Sequence, residues 1–234
     1  MSDRTSLSVV IPVLNEATRL PALLADLAAA PPELAMELWV VDGGSCDGSA
    51  ELAALAGARV LRCRPGRGEQ IRHGIRRSHG TWLLLLHADV RLPPLWWQLL
   101  LQAMATGAES AWAFPLAIEG AGPCLGLVAL LTNLRCRLRQ LPYGDQGLLL
   151  SRAVHDRVGG LAPLPLMEDL EFVLRLREAV RIRLLRRALS VDGRRWRRLG
   201  ILATAWTNWQ LRRAWRGGAH PGALARIYGG RNRV

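Results

Sequence analysis

Four short apolar runs, each separated from the next by a stretch with helical spacing, constrain this chain more than any other feature of its sequence. Residues 8–14 (SVVIPVL), 37–41 (ELWVV), 59–61 and 81–86 (TWLLLL) have strand length and lack polar alternation, the pattern of strands covered on both faces. Residues 19–30 repeat leucine and alanine at helical spacing, 49–56 follow the potential cap Asp47, and 69–77 follow the turn Arg64-Pro65-Gly66-Arg67-Gly68. Such alternation implies right-handed crossovers and a mainly parallel sheet between helices, with ligands gathering at the carboxyl ends of the strands. Polar residues stand at those ends: Asn15 and Glu16 after the first run, Asp42 after the second, His87 and Asp89 after the fourth. Further on, the pattern predicts helices at 95–104, 125–138, from Met167-Glu168-Asp169 to 178, and at 201–216. Strands are predicted at 112–118, 147–150 and 182–185.

With 234 residues, half of them hydrophobic, the chain is expected to be globular: one α/β domain over 1–198 and a basic, Trp-rich helical extension over 199–234. The four cysteines are too scattered for a metal knuckle or a redox pair, which together with the lack of a secretion signal in the first residues predicts a cytoplasmic location. No apolar run reaches the ~18 to 20 residues that cross a bilayer. All 31 basic residues are arginine, so the lysine of a P-loop is absent. The charge is uneven, −1 over residues 1–170 and +13 over 171–234. A basic surface of that kind attracts anionic lipid, nucleic acid or a phosphorylated substrate alike. A dinucleotide fold would need Gly-x-Gly-x-x-Gly after the first strand, where Pro12-Val13-Leu14-Asn15-Glu16 stands instead. A hydrolase elbow fails because Asp47 follows Gly43-Gly44-Ser45-Cys46, and no His-Glu-x-x-His occurs.

Several clusters carry chemistry. The segment Asp42-Gly43-Gly44-Ser45-Cys46-Asp47-Gly48 offers a carboxylate that could accept from a base or ribose; a polar turn capped by Asp47 accounts for it about equally well. On an extended strand end His87 and Asp89 would point the same way, as a cation bridging a diphosphate requires, although a cap for the helix after Pro93-Pro94 is an equal alternative. Glu168-Asp169 opens a helix, where acids also suit the dipole. The run Arg194-Arg195-Trp196-Arg197-Arg198 reads either as a diphosphate clamp or as a solvated basic face.

Taken in order, VVIPVLNE, VVDGGSCDGS, a Gly-Arg-Gly helix start, LLLLHADVRLP, YGDQG, MED and RRW resemble the inverting family 2 glycosyltransferases with the nucleotide-sugar-binding GT-A fold. Within them the chain is most similar to the radical-SAM/selenodomain-associated transferases, and the resemblance spans roughly residues 8–196. It implies a nucleotide-sugar site built from Pro12, Asn15, Glu16, Asp42, Arg67, Asp89, Arg195 and Trp196. It implies a divalent cation, manganese or magnesium, at Asp89, with His87 standing where most relatives have aspartate; the exchange weakens the site for a hard ion. Asp169, beside Glu168, would be the general base, and Asp145 and Gln146 would face the acceptor, although a structural turn explains those two equally well. The expected partners are a nucleoside-diphosphate sugar and an acceptor hydroxyl, for which a lipid-linked molecule is one candidate.

In the extension, Leu202, Trp206 and Trp209 share a helix face, with Arg212, Arg213 and Arg216 at its end. That composition suits a helix lying on an anionic membrane, here the inner face of the cell membrane, or one packed on the catalytic domain. Two other functions stay open at this level. A nucleotide-sugar-binding protein without catalysis is suggested by His87, and a nucleic-acid-binding protein by the basic tail; no nucleic acid is expected, because no reading motif accompanies the charge.

Overall fold

A computed structural model describes residues 6–120 and 122–232, apart from a few helical side chains, among them Arg195 and Leu202. The elements run β1 (Leu7–Val13), α1 (Leu20–Ala28), β2 (Met36–Asp42), α2 (Ser49–Leu55), β3 (Arg59–Arg62), α3 (Arg67–Arg77), β4 (Trp82–Leu85), β5 (Val90–Arg91), α4 (Trp96–Ala105), β6 (Ser110–Ala113) and β7 (Leu116–Ile118). They continue as α5 (Pro123–Arg139), a 3₁₀ turn (Gly144–Gln146), β8 (Leu148–Ser151), α6 (Arg152–Arg157), α7 (Glu168–Ala179), β9 (Arg181–Leu184), β10 (Leu189–Val191), α8 (Arg194–Leu199), α9 (Ile201–Arg216) and α10 (Pro221–Asn232).

The main sheet has the order β3-β2-β1-β4-β8-β6-β9. Its first four strands are parallel, β8 runs antiparallel to both β4 and β6, and β9 is parallel to β6. The uninterrupted apolar runs are explained by cover on both faces. In β4, Trp82 and Leu84, with Leu86 just beyond it, join the core under α1, α4 and the small sheet, while Leu83 and Leu85 join the core under α3 and α7. Helix α3 lies so close to β1 that a Cβ on Gly74 would stand 2.5 Å from Val10 Cγ1.

The predicted strand 112–118 is in fact two. Beyond Ala113 the chain turns at Phe114-Pro115 and enters a second sheet, β5-β10-β7. Proline cannot donate to a ladder, and the break falls there. The strands β5 and β10 and the helices α8 and α10 carry no clear periodicity and are visible only in the structure. Helices α9 and α10 meet α7's approach through Leu166, Leu211 and Leu224, so part of the extension is packed on the domain.

Candidate active site

The ends of β1 and β2 are laced together. Asn15, in the left-handed region at φ 55°, accepts from the Cys46 amide at 2.9 Å through Oδ1, and its own amide donates to Ser45 Oγ at 2.9 Å. The amides of Glu16 and Ala17 donate to Ser49 Oγ and Asp47 Oδ2, each at 2.9 Å. Asp42, only 1% exposed, accepts from the amides of Gly44 and Ser45 at 3.1–3.2 Å. The expected base-binding carboxylate is therefore committed first to closing its own turn. Pro12 is buried in β1 rather than lining a pocket. It is tolerated in a central strand because the β4 pairing stops at Val10, which leaves no donor required on that side. Gln70, which the sequence does not single out, ties the two strand ends by donating to Val13 O at 2.8 Å and Val41 O at 2.7 Å.

Across the cleft, β8 enters the sheet in the reverse sense, so the loop that precedes it reaches the carboxyl end of β4. Gly144 in that loop donates its amide to Asp169 Oδ2 at 2.9 Å, and a Cβ added there would stand 2.6 Å from His87 Nε2. Gly144 thus lies against both His87 and Asp169, and the three line one cavity. Burial tends to raise the Asp169 pKa, but the Arg67 charge and the amides of Gly144 and Leu170 outweigh it and hold the carboxylate below its usual range. Burial, with the Arg67 charge, pushes the His87 imidazole down to about 3, so it is neutral. Glu168 is buried and ion-paired to Arg67 Nε, while its Oε2 has no hydrogen-bond partner among the described residues. It positions Arg67 and, with Asp169, lines the cavity beside His87 and Gly144. Asp145 is raised to about 6 by burial and by the neighbouring Asp169 charge, and its Oδ1 is also unpartnered. Gln146 is fully buried, and its amide is spent on Phe114 O, the Tyr143 amide and Cys136. That makes it the structural member of the turn, not a contact for an acceptor.

A third group forms an acidic ledge. Glu16 is raised to about 7 by burial and by the Asp89 charge, against the pull of Arg19. Arg19 Nε lies 2.7 Å from Asp192 Oδ2, and Arg194 Nη2 lies 3.2 Å from Glu16 Oε1. Of the basic run 194–198, Arg194 reaches this end of the cleft, beside Arg19. The side chain of Arg195 lies outside the described ones, and Trp196 is half-buried against the core.

His87 and Asp89 sit in the turn between β4 and β5, past the last residue of the strand, so extended-strand geometry does not align them. Among the described residues no three of the side chains that ligate metals are gathered into one site. The donor set nonetheless fits a hard cation held in the usual sparse way, by one carboxylate with substrate phosphates and water completing the shell. Asp89 is a carboxylate whose pKa burial raises, so its charge is under-compensated, and the neutral His87 ring keeps a lone pair.

A profile described as Glycosyl transferase family 2 matches residues 8–159, more than half of the chain. Undecaprenyl-phosphate 4-deoxy-4-formamido-L-arabinose transferases are similar to it. That of Aeromonas hydrophila is 38% identical over 103 residues (40% of this chain, 32% of that protein), and that of Pseudomonas aeruginosa 41% over 97 residues (37% and 29%). The matched region thus spans about a third of these relatives' length. Among solved structures, Staphylococcus aureus TarS 1–349 superposes with a TM-score of 0.66 at 16% identity, covering 80% of this chain and 60% of that one. Glucosyl-3-phosphoglycerate synthase from Mycobacterium tuberculosis, in complex with Mn²⁺, UDP and glucosyl-3-phosphoglycerate, does so with 0.57 at 23% identity, covering 81% and 71%. These likenesses establish the fold as GT-A.

Proposed function

Because the chain belongs to glycosyl transferase family 2, we propose that it moves a sugar from a nucleoside-diphosphate donor to an acceptor hydroxyl, with inversion at the anomeric carbon. The observation that carries this reading is the convergence of Asp169, His87, Gly144 and the Arg67–Glu168 pair at one end of the sheet. The resemblance of the His-Ala-Asp, Tyr-Gly-Asp-Gln and Met-Glu-Asp segments supports a reading within the radical-SAM/selenodomain-associated subgroup.

Asp169 takes the proton from the attacking hydroxyl. Its depressed pKa keeps it ionised at neutral pH, and the Gly144 amide fixes the carboxylate's orientation. Arg67, anchored by Glu168, brings fixed positive charge to the side where negative charge builds on the departing diphosphate. One displacement from the face opposite the leaving group inverts the centre. The laced loops after β1 and β2 form the nucleotide side, with Asn15 and Glu16 at its rim. Asp89 and His87 would hold a manganese or magnesium ion, which when bound offsets the charge of the leaving group. Solved relatives of the fold carry Mn²⁺ and UDP, and the curated relatives are named for an undecaprenyl-phosphate acceptor, which supports a nucleotide-sugar donor and a lipid-linked acceptor here. Among the described residues no helix is long and apolar enough to cross a membrane. The exposed leucines of α5 and tryptophans of α9 support a peripheral position on the inner face of the cell membrane.

A thermal-shift panel of UDP, GDP and their sugars, with and without Mn²⁺ or Mg²⁺, tests donor binding, since a ligand of the native state raises its stability. Donor hydrolysis or transfer then separates an enzyme from a binding protein that has lost catalysis. Asp169→Asn is expected to keep the donor shift and lose about 10² to 10⁴ in turnover. Unchanged turnover in that variant removes Asp169 from the role.

A further inference from the structure

Two half-buried arginines stand beside the candidate base without an acidic partner. Arg135, from α5, places its guanidinium carbon 3.8 Å from the centre of the Tyr143 ring, and Arg212, from α9, lies 5.4 Å from the same ring. Arg135 donates through Nε to Leu141 O at 3.1 Å and through Nη2 to Gln146 Oε1 at 3.5 Å; both acceptors are neutral. Neither arginine has a carboxylate within ion-pair distance among the described residues. Tyr143 is adjacent to Gly144, whose amide holds Asp169, so the pair borders the reacting end of the cleft.

We propose that Arg135 and Arg212, arranged about Tyr143, form a phosphate-binding subsite that seats a phosphate group of the acceptor beside Asp169; in a phosphorylated alcohol a hydroxyl attacks and gives its proton to Asp169, in a prenyl phosphate an ionised phosphate oxygen attacks with no proton to remove, and in both the nucleoside diphosphate leaves. This rests on the transferase reading above and names the chemistry of its acceptor. Like charges brought together out of bulk water repel, and a bound anion removes that cost. A phosphate monoester carries about −1.5 to −2 charge at neutral pH, matching two guanidinium groups. Its tetrahedral oxygens can take both planar forks at once, which a flat carboxylate cannot do as well. Stacking on one aromatic ring pre-orients both cations. Burial lowers the Arg212 pKa, and the charges of Arg135 and Arg216 add to the effect, whereas Tyr143 and Asp169 act in the opposite sense, which puts the cluster in reach of the base's field. The pairing unites an arginine of the basic C-terminal quarter with one of the catalytic domain, which gives the extension a place in substrate recognition.

The test is calorimetric titration of the full chain with three probes: a short-chain prenyl phosphate, its dephosphorylated alcohol, and glycerol 3-phosphate. Both phosphates are expected to bind and the alcohol not to. Arg135→Gln and Arg212→Gln should each weaken phosphate binding about tenfold or more, Arg212→Lys should recover part of the loss, and UDP with Mn²⁺ should bind all variants as it binds the wild type. A prenyl phosphate that binds well above glycerol 3-phosphate identifies a lipid headgroup as the source; equal affinities identify a soluble phosphate; either supports the subsite. An alcohol that binds as tightly as its phosphate, or an Arg212→Gln protein with unchanged phosphate affinity, overturns it. Should Arg135→Gln lose its cooperative melt, Arg212→Gln alone decides. Failure of UDP to bind the wild-type chain would instead strike the transferase reading, independently of the phosphate result.

Discussion

Asp169 shows how one residue's surroundings decide its chemistry. A carboxylate this deep would ordinarily resist ionisation, yet Arg67 and two backbone amides, those of Gly144 and Leu170, keep it charged. Asp145, two residues from Tyr143, lacks such donors at Oδ1 and is pushed the other way. Gly144 is the contact on which this contrast turns. Gly144→Ala would drive a methyl group into the His87 ring and against Asp169, and since the ring can swing aside, the melting temperature should move by only a few degrees while turnover falls at least tenfold. Parallel melting curves and initial rates would check this; a large loss of stability with normal specific activity would contradict it. At this scale the acidic segment at 168–169 and the loop at 143–146 were legible as sites. The division of labour within each was not. Burial makes Glu168 a partner for Arg67 and Gln146 a brace, and burial depends on neighbours distant in the chain. Asp42 is the same lesson: a carboxylate after a strand is visible in sequence, but whether its oxygens are free is not.

Between elements, the parallel half of the sheet follows the alternation of apolar run and helix, and was readable because cover on both faces leaves a simple hydrophobic signature. The reversed β8 was not, since a strand buried on both sides carries the same signature in either direction. Nor did the sequence expose that β4 ends at Leu85, before His87, or that Pro115 divides one apparent strand between two sheets. One polar tie joins three strands' starts: Glu37 on β2 accepts from Ser8 Oγ on β1 at 2.6 Å, from the His79 amide, and from the Gly80 amide before β4 at 3.1 Å. Burial raises the Glu37 pKa, but these donors outweigh it and the net shift is downward from the ordinary 4.5. A group depressed in the folded state contributes stability above its unfolded pKa and loses it as pH falls through the folded one. Glu37→Ala is therefore expected to cost about 1–2 kcal/mol at neutral pH in urea melts, because Ser8 is left buried without its acceptor, and the gap from wild type should narrow below about pH 4.5. A gap that stays constant down to pH 3 would assign the loss to packing alone.

Over the whole molecule, apolar surface and positive charge fall on the same helices. On α5, Leu127, Leu130, Leu131, Leu134 and Leu138 are 46–74% exposed at helical spacing, and on α9 the stacked Trp206 and Trp209 are exposed with Arg213 over the second ring. Leucine and tryptophan in solvent next to arginines suit the interface of an anionic bilayer. Flotation with vesicles containing phosphatidylglycerol should recover the protein at low salt, and recovery should fall in high salt. Leu130→Gln with Leu138→Gln should reduce it further without altering UDP binding. Wild-type protein left behind by anionic vesicles at low salt would show these faces to have another purpose.

The reversal of β8 has a consequence for how such a protein could diversify. Most of the side proposed for the giver of the sugar follows β1, β2 and β4, with Arg194 joining from beyond β10, whereas the stretch from α5 to the 3₁₀ turn arrives from the other side of β4 and ends against Asp169. The proposed recipient side thus rests largely on one contiguous length of chain. Grafting residues 123–147 from one relative into another should redirect which recipient is glycosylated while the same activated sugar continues to be consumed.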